Sequence, residues 1–80
     1  MTTAMISLAY LREQYLREAE QYEAEAAAWA AKAARENDDR LRDEYDARAR
    51  QKRRAAQVAY RLLADVEARI GEINQLHRHR

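Results

Sequence analysis

The 80-residue chain contains no cysteine, no proline and no phenylalanine, and its one glycine is Gly71. Without cysteine there is no disulfide framework and no thiolate metal site, and nothing in the chain calls for an oxidising compartment. Without proline, and with glycine only near the end, no ring clash or backbone freedom obliges a helix to break early in the chain. No apolar run approaches the roughly 20 residues of a membrane span. Met1 to Tyr15 does not read as a signal peptide either, because Arg12 and Glu13 interrupt any apolar region and no basic start precedes it. Histidine is confined to His77 and His79, two ligands at most, and no Glu-x-x-His of the kind used by carboxylate-bridged metal bundles occurs. These absences predict a cytoplasmic protein without metal or cofactor, and they argue against an enzyme, since no catalytic constellation is present.

What is present is alanine, glutamate and arginine, with 36% of residues charged and 48% hydrophobic. That composition describes long solvated helices and has the Ala/Arg bias of bacterial or phage proteins. Formal net charge is +1, yet residues 1–40 carry five Lys/Arg against eight Asp/Glu and residues 41–80 carry ten against six. The first half is therefore acidic and the second basic. A chain this short buries a small core, and with disulfides and metals excluded, association is the support that remains.

Apolar residues in the first half fall at Met5, Leu8, Leu11, Tyr15, Ala19, Tyr22, Ala26, Trp29 and Ala33, always three or four apart. In the second half Tyr45, Ala49, Lys52, Ala56, Ala59, Leu63, Val66, Ile70 and Ile73 alternate steps of four and three, the spacing of heptad a and d positions. Lys52 alone departs from the character of this second seam. From Ala33 to Tyr45 is twelve residues, which leaves the two stripes out of phase by about a third of a turn.

Between the stripes lie Glu36, Asn37, Asp38 and Asp39. Asn suits the position just past a helix end, Asp suits an N-cap, and Asp43 and Glu44 then fall early in a second helix, where its dipole favours them. Possible i,i+4 pairs, Glu36 with Arg40 and Asp38 with Arg42, support a continuous helix by a few tenths of a kcal/mol each. Asn37, Asp38 and Asp39 together cost roughly 2 kcal/mol as helix interior relative to Ala, so the turn is favoured. The chain thus reads as all-α, one domain over residues 1–80, with helix one over about 3–36, a turn at about 36–39 and helix two over about 39–77. Thr2 or Thr3 suits the cap of helix one, Lys32 and Arg35 its cationic end, and Arg78 and Arg80 the end of helix two.

Folding back as a coiled-coil-like hairpin of antiparallel amphipathic helices pairs positions whose numbers sum to about 74. Trp29 then meets Tyr45, Ala26 meets Ala49, Tyr22 meets Lys52, Ala19 meets Ala56, and Leu8 meets Val66. The same register sets Glu18, Glu20, Glu23 and Glu25 near Arg48, Arg50, Arg53 and Arg54, so that the two halves are expected to neutralise each other. Two straight helices paired antiparallel as a swapped dimer satisfy much the same contacts.

Five tyrosines and one tryptophan in place of phenylalanine suit half-buried sites, where the ring packs and the polar tip reaches water. The candidate interface comprises Leu8, Leu11, Tyr15, Leu16, Tyr22, Trp29, Tyr45, Leu62, Leu63 and Val66. Of these, Leu16 and Leu62, together with Ala9, Tyr10 and Tyr60, lie beside the seam. The expectation is a homo-oligomer, most simply a dimer forming a four-helix bundle, that binds a protein partner as an adaptor, regulator or inhibitor. The alternative is a nucleic-acid-binding regulator that uses the basic helix face of Arg48, Arg50, Lys52, Arg53 and Arg54.

Overall fold

The computed structural model describes residues 3–78. Helix α1 spans Thr3–Arg35 and helix α2 spans Asp39–Arg78, joined by residues 36–38 into an antiparallel hairpin of 64 × 15 × 12 Å. A 40-residue helix rises about 60 Å, so α2 accounts for the long dimension. Thr2, His79 and Arg80 lie outside the described residues. No described helix is long and apolar enough to cross a membrane.

The connection is closed by acidic side chains. Lys32 and Arg35 occupy the last turn of α1, where the free carbonyls favour cations. The Glu36 N–H then reaches back to the Ala33 carbonyl at 3.2 Å. Asp38 caps α2: its Oδ1 accepts the Leu41 N–H at 3.1 Å and its carbonyl accepts the Arg42 N–H at 2.9 Å. Glu36 Oε1 in turn accepts the Asp38 N–H at 3.1 Å.

One detail differs from the sequence reading and one agrees with the turn it favoured. No described residue has a positive φ, so Asn37 does not supply a left-handed end to α1. The i,i+4 pairs that a continuous helix would have used are not made, because Glu36 is occupied by the Asp38 amide and Arg42 pairs with Asp39 at 2.7 Å. Both follow from the reversal being made with side-chain acceptors: once these satisfy the open amides of α2, no unusual backbone conformation is needed.

The buried core consists of Ala19, Ala26 and Ala33 on α1 and Ala49, Ala56, Ala59, Leu63 and Val66 on α2. Alanines seven residues apart come to the same side of a helix, so a small side chain stands at each successive layer and the backbones can approach. Larger residues flank this line: Tyr15, Tyr22, Trp29 and Tyr45 are half-buried beside it. Towards the open end, Met5, Leu8, Ile70 and Ile73 are half-buried, so the seam becomes more aliphatic away from the turn. Leu11, placed on the seam by its spacing, is 37% exposed and belongs to the surface as much as to the interior.

Tight layers do not accept larger side chains. Ala26→Leu is expected to destabilise the hairpin by roughly 1–3 kcal/mol, because overpacking forces the helices apart. Gly71 offers the opposite case, since a Cβ built there meets nothing within 4 Å and its backbone is helical. Gly71→Ala should therefore stabilise by roughly 0.5–1 kcal/mol, and thermal unfolding followed by circular dichroism reads both changes.

Candidate interaction surfaces

Near the closed end, Trp29 and Tyr45 meet across the helices with ring centroids 5.7 Å apart and planes tilted by 33°. This is the contact the sum rule placed there. Two cations sit on the pair: the Lys32 ammonium lies 5.2 Å from the Trp29 ring and 4.7 Å from the Tyr45 ring, and the Arg48 guanidinium lies 4.9 Å from the Trp29 ring. A cation over an aromatic face at these distances is attracted by the ring quadrupole, by about 0.5–1 kcal/mol at an exposed site.

One step further from the turn, Lys52 explains its presence on an otherwise apolar seam. Its stem is half-buried, while its ammonium reaches Glu25 Oε2 at 3.0 Å and lies 5.7 Å from the Tyr22 ring. That carboxylate oxygen is closed off from water. The Lys52 ammonium holds the Glu25 carboxyl below the ordinary carboxylate range by hydrogen bonding, against an opposing push from desolvation. Across the hairpin, the Glu23 carboxylate raises the Tyr60 pKa above its usual value, chiefly through its hydrogen-bonding effect on the hydroxyl, with desolvation adding to it.

Sequence reasoning expected Glu18, Glu20, Glu23 and Glu25 to neutralise Arg48, Arg50, Arg53 and Arg54, and the structure corrects this. Among the described residues the ion pair that joins the helices is Glu25 with Lys52. Arg48 lies on Trp29, and Glu20 and Glu23 face Tyr60. Arg50, Arg53 and Arg54 are exposed, border one shallow depression, and have no carboxylate within ion-pair distance among the described residues. The reason is angular, because equal height along the axis does not bring side chains together when they leave their helices in divergent directions.

These contacts divide the hairpin into two sides. Glu25 with Lys52, and Arg48 with Trp29, mark the first; Glu23 with Tyr60 marks the second. Residues seven apart share a side, so Leu11 and Glu18 lie with Glu25, whereas Ala55, Leu62, Arg69 and Leu76 continue from Arg48. A shallow groove at the open end joins the two helices on this side, bordered by Ser7 and Leu8 of α1 and by Arg69, Ile73 and Leu76 of α2. Leu16, seven before Glu23, falls on the second side with Tyr60. The other interface candidates, Leu8, Tyr15, Tyr22, Trp29, Tyr45, Leu63 and Val66, are buried or half-buried between the helices.

Val58 at 55% and Leu76 at 70% exposure are surface apolar residues that seam spacing passed over, as are Ile6 and Leu41. The available signal was the heptad through Leu62, which leads directly to Leu76, with Val58 one turn before Leu62.

The class these features define is a two-helix hairpin with an alanine-rich seam and apolar residues left outside it. Comparison with protein-family models, with curated proteins and with solved structures finds no match.

Removal of the Trp29 ring takes away its contacts with Tyr45, Lys32 and Arg48 together. Trp29 is half-buried, so Trp29→Ala is expected to cost roughly 2–3 kcal/mol, less than a fully buried ring, and to lower Tm by ten degrees or more, on the order expected for a domain this small. An unchanged Tm would show that this contact does not hold the helices.

The Glu25 pKa gives a pH signature. A carboxyl whose folded pKa is depressed contributes stability above its unfolded value, about 4.3, and loses it as pH falls through the folded value. Tm should therefore drop as pH is lowered below about 4.3. The drop should be shallower in Glu25→Gln.

Proposed function

We propose that this protein is a non-enzymatic, self-associating helical hairpin whose copies pair into a four-helix bundle, and that the assembled bundle binds a protein partner as an adaptor, regulator or inhibitor. The observation that carries this reading is the placement of large apolar side chains outside the hairpin's own seam. Leu16 lies on the second side, Leu62, Val58 and Leu76 on the first, and Tyr10 is 62% exposed. A monomeric hairpin leaves all of these in water, whereas helix pairing covers one side and leaves the other for a different partner. The fully buried set is mostly alanine, which contributes little apolar area per residue, and this adds to the advantage of association.

Sedimentation equilibrium at micromolar concentration tests the first half of the reading: a mass near twice 9.4 kDa is expected, and a monomer would defeat it. The second half is tested by affinity capture with the parent and with a Leu16→Glu variant of matched helicity. A protein retained by the parent and released by the variant supports partner binding on the second side, and equal retention contradicts it.

A second reading is favoured by one observation. Arg50, Arg53 and Arg54 have no carboxylate partner among the described residues, and Arg61 follows on the same outward face of α2, one heptad from Arg54. Such a row suits the phosphates of a nucleic acid, while Arg48 and Lys52 are engaged with Trp29 and Glu25. A mobility shift with duplex DNA at physiological salt that is lost in the Arg50→Ala, Arg53→Ala, Arg54→Ala triple variant would support this reading. No shift at that salt would remove it, because binding through phosphates alone weakens steeply with ionic strength.

A further inference from the structure

We propose that the first side of the hairpin is the surface on which a second copy of the chain packs, closed end beside closed end, about a two-fold axis parallel to the helices. This rests on the self-association proposed above and names its face and direction.

The area to be covered is large enough. The chain exposes 6405 Å². A compact folded protein of 9.4 kDa exposes roughly 5,000 Å², so the hairpin carries about 1,400 Å² in excess. A standard stable interface removes about 800 Å² from each partner, well within that excess.

The occupant and its direction follow from how the first side changes along its length. Its closed half presents Lys32, Arg48, Lys52, Glu25 and Glu18. Its open half presents Leu11, Val58, Leu62, Ile73 and Leu76, with Arg69 and Glu72 as the charges among them. A two-fold axis along the hairpin keeps each residue's distance from the turn and lays α1 of one copy over α2 of the other. Leu11 and Leu62 are nearly equidistant from the turn, so Leu11 of one copy comes over Leu62 of the second copy. Glu25 and Arg48 are likewise at matching heights, which brings the acidic edge of α1 over the basic edge of α2 on both halves of the interface. Turning the second copy end for end instead sets Leu11, Val58 and Leu62 against Lys32 and Arg48, which lie on aromatic faces and have no carboxylate in ion-pair reach among the described residues, and so removes their charges from water uncompensated. The surface is thus complementary to itself in one direction.

Sedimentation of the full chain and its variants, combined with one distance, tests this. The chain has no cysteine, so a nitroxide at Asn37→Cys labels the turn alone. The parent is expected to be a dimer with its turns about one helix diameter apart, which with the label arms puts the two nitroxides roughly 10–25 Å apart. Leu62→Arg should weaken dimerisation at least tenfold, and Ile6→Arg, on the outward face of α1, should leave it unchanged. Val58→Glu, at a position already 55% exposed and so tolerant in the hairpin itself, should weaken dimerisation as Leu62→Arg does, with helicity checked for each variant. A monomeric parent would overturn both the self-association and this surface. A dimer indifferent to Leu62→Arg and Val58→Glu, or one whose labels stand apart by a distance comparable to the 64 Å hairpin, would overturn this surface and leave self-association standing.

Discussion

The close approach of two alanine lines is the constraint on which the hairpin depends. Ala19, Ala26 and Ala33 on α1 and Ala49, Ala56 and Ala59 on α2 are all buried, and they bring the helices near enough for the flanking rings to reach across. The contact of Trp29 with Tyr45 and the reach of Lys52 to Glu25 both presuppose that spacing. Alanine contributes little transfer free energy of its own. Its value here is geometric, because a small side chain lets the backbones approach while the larger neighbours close the seam from either side.

Charge follows from the same arrangement. The acidic first half and basic second half of the chain are laid side by side by the hairpin, yet within it only a small part of that opposition is used directly. Lys52 pairs with Glu25, Arg48 and Lys32 lie on aromatic faces, and Arg50, Arg53 and Arg54 remain open to water. The unused opposition is directed outward. In the proposed dimer it lies between copies, and in the nucleic-acid reading the open arginines meet phosphates. Both uses require the apolar seam to hold the two helices in register first.

Much of the fold was legible because helical periodicity is a strong signal and because this chain has few residues that compete with it. The two stripes, the acidic break between them and the register joining Trp29 to Tyr45 were all readable from spacing. The charge pairing was not. Height along the axis follows from residue number, but whether Glu23 meets Arg53 or Tyr60 depends on the direction in which each side chain leaves its helix, and the structure sets Glu23 against Tyr60. The end of α1 escaped for a similar reason: Asn37 has the residue type for a left-handed turn, while Glu36 and Asp38 satisfy the amides without one. On the candidate surfaces, Leu16 and Leu62 were visible as off-seam residues. Val58 and Leu76 were passed over because the reading followed the seam spacing, although the heptad through Leu62 leads to Leu76 and Val58 stands one turn before it.

The central claim is that the two alanine lines of one chain pack on each other. Methyl NOE spectroscopy tests it most directly, using uniformly labelled protein and a mixture of labelled and unlabelled chains. Contacts from Ala19 to Ala56 and from Ala26 to Ala49 are predicted in the uniform sample and predicted to be absent from the spectrum that selects contacts between chains. Their absence from the uniform sample, or their appearance between chains as in a swapped pair of straight helices, would contradict the account.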